Sequence, residues 1–137
     1  MNKREIKFRG KRVNNGEWVY GDLFTGNQNT YIIQKKATFE KDNLGLPFKP
    51  IEVIPESVGQ YTGKNDKNGI EIYEGDILKC NVSVRSQESI HSDHYYDDKY
   101  IEQVNFENGY FFCRYYLWEI EDKKVIGNTT DNKDLLT

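Results

Sequence analysis

The sequence predicts a mainly β fold, and three observations carry that prediction. The first is composition: among 137 residues there are ten Tyr, seven Phe and two Trp, against a single Met. Aromatic and β-branched side chains suit a pleated, half-buried surface better than a helix. The second is alternation between Ile77 and Arg85, where Leu78, Cys80, Val82 and Val84 are apolar and Lys79, Asn81, Ser83 and Arg85 are polar. A period of two buries one face of a strand and wets the other. The third is the spacing of turn signals, densest in Ser57–Lys79, where Gly59, Gly63, Gly69 and Gly75 punctuate short apolar runs. Together they predict consecutive hairpins forming a small, partly closed SH3-like β-barrel with a long inserted hairpin or loop, because closure removes exposed strand edges.

Taken in order, Ile6 to Phe24 reads as a hairpin, with Ile6 and Phe8 alternating with Lys7 and Arg9 and Trp18-Val19-Tyr20 returning after Asn15-Gly16. Asn-Gly suits a type I′ turn because both residues tolerate positive φ. Tyr31–Gln34 is a short strand, and Ala37–Pro50, with Gly45, Pro47 and Pro50, reads as a long loop. Ile51–Ile54 is extended, and Pro55-Glu56-Ser57 suits one helical turn because proline fits a first helical position. Val58–Thr62 and Ile70–Tyr73 pair across the turn Asp66-Lys67-Asn68-Gly69, and Glu74-Gly75-Asp76 feeds the strand beginning at Ile77. Ser86–Asp98 is polar and reads as an inserted loop or the tip of a long hairpin. Ile101–Phe106 and Tyr110–Trp118 form another hairpin around Glu107-Asn108-Gly109, the second strand apolar on both faces and therefore expected to be central or doubly covered. Val125-Ile126 is a short strand, and Asp131–Leu136 a terminal helical turn. No amphipathic pattern longer than about two helical turns occurs.

The length suits one domain over 1–137, with an N-terminal hairpin region at 1–36 and a barrel-like core at 56–137 carrying a variable insertion at 83–99. The formal charge is −3, so no global positive field draws the chain to polyanions. Locally, Lys3, Arg4, Lys7, Arg9, Lys11 and Arg12 crowd the first strand region. Acids gather at Asp93, Asp97 and Asp98 and at Glu119, Glu121 and Asp122. Two cysteines, Cys80 and Cys113, are far apart, and the N-terminus shows no apolar core behind its charges. This pattern predicts reduced thiols and a cytoplasmic protein.

Candidate chemistry is sparse. His91 and His94, near Asp93, Asp97 and Asp98, have metal-ligand side chains, but the segment has no helical period and reads better as a solvated loop. Glu74 and Asp76 read better as acids of a tight turn than as an acid–base pair, with Asp76 bonding backbone amides. The glycines at 59, 63, 69 and 75 match neither a phosphate loop nor a dinucleotide fingerprint. No catalytic residues, cofactor or resident metal are expected, and the chain reads as no enzyme. Lys7, Arg9 and Lys11, on the strand face opposite Ile6 and Phe8 and with Trp18 and Tyr20 returning nearby, could hold a single-stranded nucleic acid by phosphate contact and stacking. Such charges also serve to discourage edge pairing.

The motifs Arg4–Lys11, Gly16–Leu23, Val58–Gly63, Asp66–Gly69, Ile72–Ile77 and Val125–Asn128 followed by Asp134-Leu135-Leu136 resemble the YopX family of bacteriophage and prophage proteins. The resemblance spans nearly the whole chain and departs most at Ser83–Lys99. It implies a β-rich phage protein expressed in the cytoplasm of a bacterial host. What it carries is turn geometry, in Gly59, Tyr61, Gly63, Asp66, Gly69, Tyr73, Gly75 and Asp76, and no catalytic residue. The expected function is a non-enzymatic binding module for a phage or host protein or for itself, as a homo-oligomer; Tyr and Trp favour interfaces. The alternative is single-stranded nucleic-acid binding by the N-terminal hairpin.

Overall fold

A computed structural model describes residues 5–35, 48–86 and 94–137. The fold is mainly β, with antiparallel sheets and, among the described residues, no α-helix. The chain divides into two compact units, Met1–Gly63 and Lys64–Thr137.

In the first unit, strands β1 (Phe8–Lys11), β2 (Trp18–Thr25), β3 (Thr30–Lys35), β4 (Phe48–Val53) and β5 (Gly59–Asn65) lie in the order β4-β3-β2-β1-β5. One sheet face buries Val19, Ile32, Ile51 and Val53, with Phe8, Leu23 and Val58 packed against them. The sheet curls until the end of β4 reaches the end of β1. Arg12 and Val53 form a single bridge there, and the Ile54 amide donates to the Lys11 carbonyl at 2.8 Å. Pro55–Ser57 makes the expected helical turn, a 3-10 turn, before β5.

The N-terminal hairpin forms, but not around a two-residue turn. Lys11 pairs with Trp18, the Arg12 amide donates to the Glu17 carbonyl, and Gly16 alone takes a positive φ, 72°. Asn15 instead uses its side-chain oxygen to accept from the Glu17 amide at 3.0 Å, which holds the wider loop. This is the local side-chain bonding that lets Asn compete with regular turns. The expected Ala37–Pro50 loop lies largely outside the described residues, and Pro50 itself sits in β4 opposite Ile33.

In the second unit, β6 (Glu71–Tyr73) leads to β7 (Asp76–Arg85), β8 (Tyr95–Gln103), β9 (Asn105–Glu107), β10 (Tyr110–Cys113), β11 (Tyr115–Tyr116) and β12 (Asp122–Asn128). Two three-stranded sheets result, ordered β12-β7-β8 and β11-β10-β9. Their shared core contains Ile72, Leu78, Cys80, Tyr100, Val104, Cys113, Leu117 and Ile120. Fully burying an aliphatic side chain such as Leu78 contributes about 1.5–3 kcal/mol.

One alternative is resolved here and two expectations change. Of the loop and the long hairpin expected over Ser86–Asp98, Tyr95–Asp98 takes the hairpin, with β7 and β8 paired out to Arg85 and Tyr95. Tyr110–Trp118 is not one central strand. Arg114 adopts φ 69°, folding the run back so that Cys113 pairs with Tyr115. Two salt links, from the Arg114 guanidinium to Asp98 at 2.9 Å and to Glu102 at 2.6 Å, accompany that unusual backbone. Finally, the partly closed SH3-like barrel is not confirmed, because among the described residues none of the sheets closes on itself through a ladder.

Candidate functional site

The expected basic–aromatic group does come together in the first unit. Strand register sets Arg9 opposite Tyr20 and Lys11 opposite Trp18, and directly paired residues share a face. Lys7, two residues from Arg9, completes the row. The local chemistry is already engaged: Arg9 is 8% exposed with its guanidinium 4.8 Å from the Trp18 ring centroid. The Lys7 ammonium lies 5.0 Å from the Tyr61 ring and 3.2 Å from Glu5. Tyr20 remains exposed beside an open depression of about 470 Å³ that also involves Gly21, Asp22, Ile33 and Gln34. Lys3 and Arg4 lie outside the described residues.

The glycine-rich segment is a scaffold. Asp66 is its organising side chain: one carboxylate oxygen accepts from the Asn68 amide at 2.8 Å and the Ile70 amide at 2.9 Å. The other accepts from the Val125 amide at 3.0 Å on β12. Burial alone would raise the Asp66 pKa. The amides of Val125, Ile70 and Asn68, with the Lys123 charge, reverse this and hold it below the usual aspartate value. Gly63, Gly69 and Gly75 take positive φ, whereas Gly59 is a strand residue opposite Arg9. Tyr61 and Tyr73 are buried, and the buried Asp76 carboxylate accepts from the Tyr73 amide at 2.7 Å, as expected of a turn acid.

Cys80 and Cys113 belong to different sheets but to one core. Tyr100, the register neighbour of Cys80, donates its hydroxyl to the Cys113 carbonyl at 2.5 Å. The Cys113 thiol, which donates to the Glu102 carbonyl at 3.4 Å, is pushed up by its interaction with Cys80 and by burial, and Cys80 is lowered by that same interaction. Both thiols are shut in the interior, an environment of small hydrophobes rather than of nucleophiles. His91 and Asp93 lie outside the described residues, while His94 and Asp97 are exposed. Asp98 is held by Arg114 and by the Tyr115 hydroxyl at 2.8 Å. Among the described residues no group of three or more His, Cys, Asp or Glu side chains is placed to hold a metal.

The most conspicuous exposed surface is aromatic. On β10 the side chains alternate, Phe111 and Cys113 toward the core and Tyr110 and Phe112 outward. Phe112 pairs with Tyr116 across β11, their rings 4.6 Å apart. Tyr110 meets Tyr116 edge-on at 5.3 Å, and Tyr116 stacks on Trp118 at 5.5 Å. The positive φ at Arg114 makes this ladder, since it returns Tyr116 to lie beside Phe112. Tyr110 is 53% exposed and Trp118 61%. Asn108 and Gly109, with φ 53° and 85°, supply the two left-handed positions of the turn that starts it.

Sequence reasoning singled out the aromatic run but missed a second surface. On the outer face of β12-β7-β8, Lys79 sits directly between Lys124 and Ile101, and Asn81 between Asp122 and Lys99. The alternation of β7 signalled a wet face at Lys79 and Asn81; only register brings the other lysines beside them.

The family model described as YopX protein matches residues 7–137. No curated protein matches. A crystallised protein from Enterococcus faecalis is similar in fold, with TM-score 0.54 and 21% identity over 98% of this chain and 100% of its own. Among the described residues no helix is long and apolar enough to cross a membrane.

Proposed function

We propose that this chain, which belongs to the YopX family, is a non-enzymatic binding protein that self-associates through the aromatic ladder Tyr110–Phe112–Tyr116–Trp118. The observation behind this reading is the ladder itself, four rings in successive tilted, edge-on and stacked contact running from β10 and β11 onto the 3-10 turn Leu117–Glu119. A two-fold interface brings the same patch from both subunits together. An uncharged aromatic patch meets its own copy without like-charge repulsion, and such rings are typical interface anchors. Burial of both thiols and the commitment of Asp66 and Asp76 to backbone amides support a binding role over catalysis. The curl of the first sheet supports an incipient SH3-like barrel there, whereas the sequence put the barrel-like core at 56–137, and the family supports a phage or prophage origin with cytoplasmic expression in a bacterial host.

Sedimentation velocity over roughly 1–100 µM tests this, a range in which weak homodimers dissociate. The wild-type chain is expected to shift from one to two copies. Trp118→Ser with Tyr116→Ser is expected to weaken association at least about tenfold, as for an interface anchor. A strict monomer throughout, or a double variant that associates like the wild type, contradicts the proposal.

A second reading, single-stranded nucleic-acid binding by Lys7, Arg9, Lys11, Trp18 and Tyr20, is favoured by their common face. It is the weaker reading because Arg9 and Lys7 already lie against Trp18 and Tyr61. It predicts that Lys7→Glu with Lys11→Glu lowers affinity for oligothymidylate about tenfold and flattens its salt dependence. Unchanged binding in that variant removes these residues as a site.

A further inference from the structure

We propose a second, independent docking site: the outer face of β12-β7-β8 binds an acidic, amphipathic peptide segment of a partner protein. The groove is about 960 Å³ and open, with Lys67, Lys79, Lys99 and Lys124 in its lining against Asp122. Ile101, Ile126, Leu135 and Leu136 add apolar surface, the last two from the 3-10 turn Lys133–Leu136.

Three features define the occupant. First, Lys79 and Lys124 are direct cross-strand partners on one face. Like charges so placed destabilise a sheet, and a bound anion between them removes the penalty. Lys67 is joined to Asp122 at 3.0 Å, whereas Lys79, Lys99 and Lys124 form no ion pair among the described residues. Second, Asn81 lines the same groove between Asp122 and Lys99, and an amide side chain suits the backbone hydrogen-bonding groups of an extended segment. Third, the aromatic residue in the lining, Tyr100, is only 7% exposed, so bases have no platform on which to stack. Aliphatic side chains on the rim instead suit the apolar residues of a peptide. Carboxylates on one side of an extended segment thus meet the lysines while leucine-like residues meet Ile101 and Leu135.

Fluorescence anisotropy with a labelled peptide of alternating Glu and Leu tests the site, with labelled oligothymidylate as the comparison. The peptide is expected to bind the full chain, more weakly as salt rises. Lys124→Glu and, separately, Lys99→Glu should each weaken binding at least about tenfold, the loss expected for a charge reversed within a contact. Lys124→Glu converts a repulsive pair into an attractive one, so its melting temperature should equal or exceed that of the wild type. Loss of binding in that variant is then not loss of fold. Trp118→Ser with Tyr116→Ser should leave peptide binding unchanged, which separates this site from the aromatic face. Absence of peptide binding, retention of binding by both lysine variants, or tighter binding of oligothymidylate lost in the same variants overturns the proposal.

Discussion

Asp66→Ala is expected to cost the fold about 3–4 kcal/mol, a large loss for a single polar side chain. The substitution removes one carboxylate and strands three amides, those of Asn68, Ile70 and Val125. Hydrogen bonds to charged groups contribute about 1.5–3 kcal/mol each, and a buried donor left without a partner carries its own desolvation cost. The sum stays below three full bonds because solvent reaches the turn at Asn68 and Gly69. The pH dependence gives an independent check. The folded pKa of Asp66 lies below its unfolded value, so its stabilisation is complete above the unfolded value and fades as pH falls through the folded one. Chemical denaturation of wild type and variant should therefore differ most above roughly pH 4, the ordinary aspartate range, and converge below it. A gap of under about 1 kcal/mol at neutral pH, the size of a single ordinary hydrogen bond, contradicts this account of the turn.

The second large effect lies in the first unit. Gly21→Ala is expected to destabilise the chain by about 3 kcal/mol, the upper range for an overpacked site. A Cβ at Gly21 would stand 2.3 Å from the Ile33 carbonyl oxygen and 3.3 Å from Ile32 Cγ2. The first contact is with backbone, which no rotamer change relieves, and it lies on the strand next to β2. Relief requires prying β3 from β2 at the register Asp22–Ile33, beside the fully buried Ile32. A fall of roughly 10 °C in melting temperature should follow. By contrast, Gly69 has nothing within 4 Å of an added Cβ and should respond to Ala only through its positive φ, 81°. If Gly21→Ala proves milder than Gly69→Ala, the close approach is not what fixes glycine at position 21.

Much of this fold was legible because its strands alternate and its turns carry their chemistry in their own residues. Asp66 to Gly69 and Glu107 to Gly109 could be placed from sequence because an acid that bonds amides or a pair of residues tolerant of positive φ is a local property. Pro55–Ser57 was legible for the same reason. What failed was non-local. Tyr110–Trp118 reads as one continuous apolar strand, and nothing in its hydropathy reveals that Arg114 turns left-handed. That turn is accompanied by Asp98 and Glu102, sixteen and twelve positions away. Closure was not legible for a similar reason, since glycine turns specify reversals but not whether the last strand finds the first.

The candidate surfaces divide along the same line. Lys7, Arg9, Lys11, Trp18 and Tyr20 were placed on one face because a single hairpin fixes them, but the burial of Arg9 against Trp18 depends on packing. Lys79, Lys99 and Lys124 come from three strands and meet only through register. The aromatic ladder was visible as composition, while its exposure on one face follows from the fold-back at Arg114.

That ladder is the centre of the functional account, and Trp118 reports on it directly. The chain has two tryptophans, so Trp18→Phe leaves Trp118 as the sole indole. Its emission and its quenching by acrylamide should be followed as the chain is diluted through its association range. The account predicts that Trp118, 61% exposed in a single chain, emits at shorter wavelength and resists quenching when concentrated, and reverts on dilution. Association that leaves Trp118 fully quenchable at every concentration would contradict it, placing the interface elsewhere on the molecule.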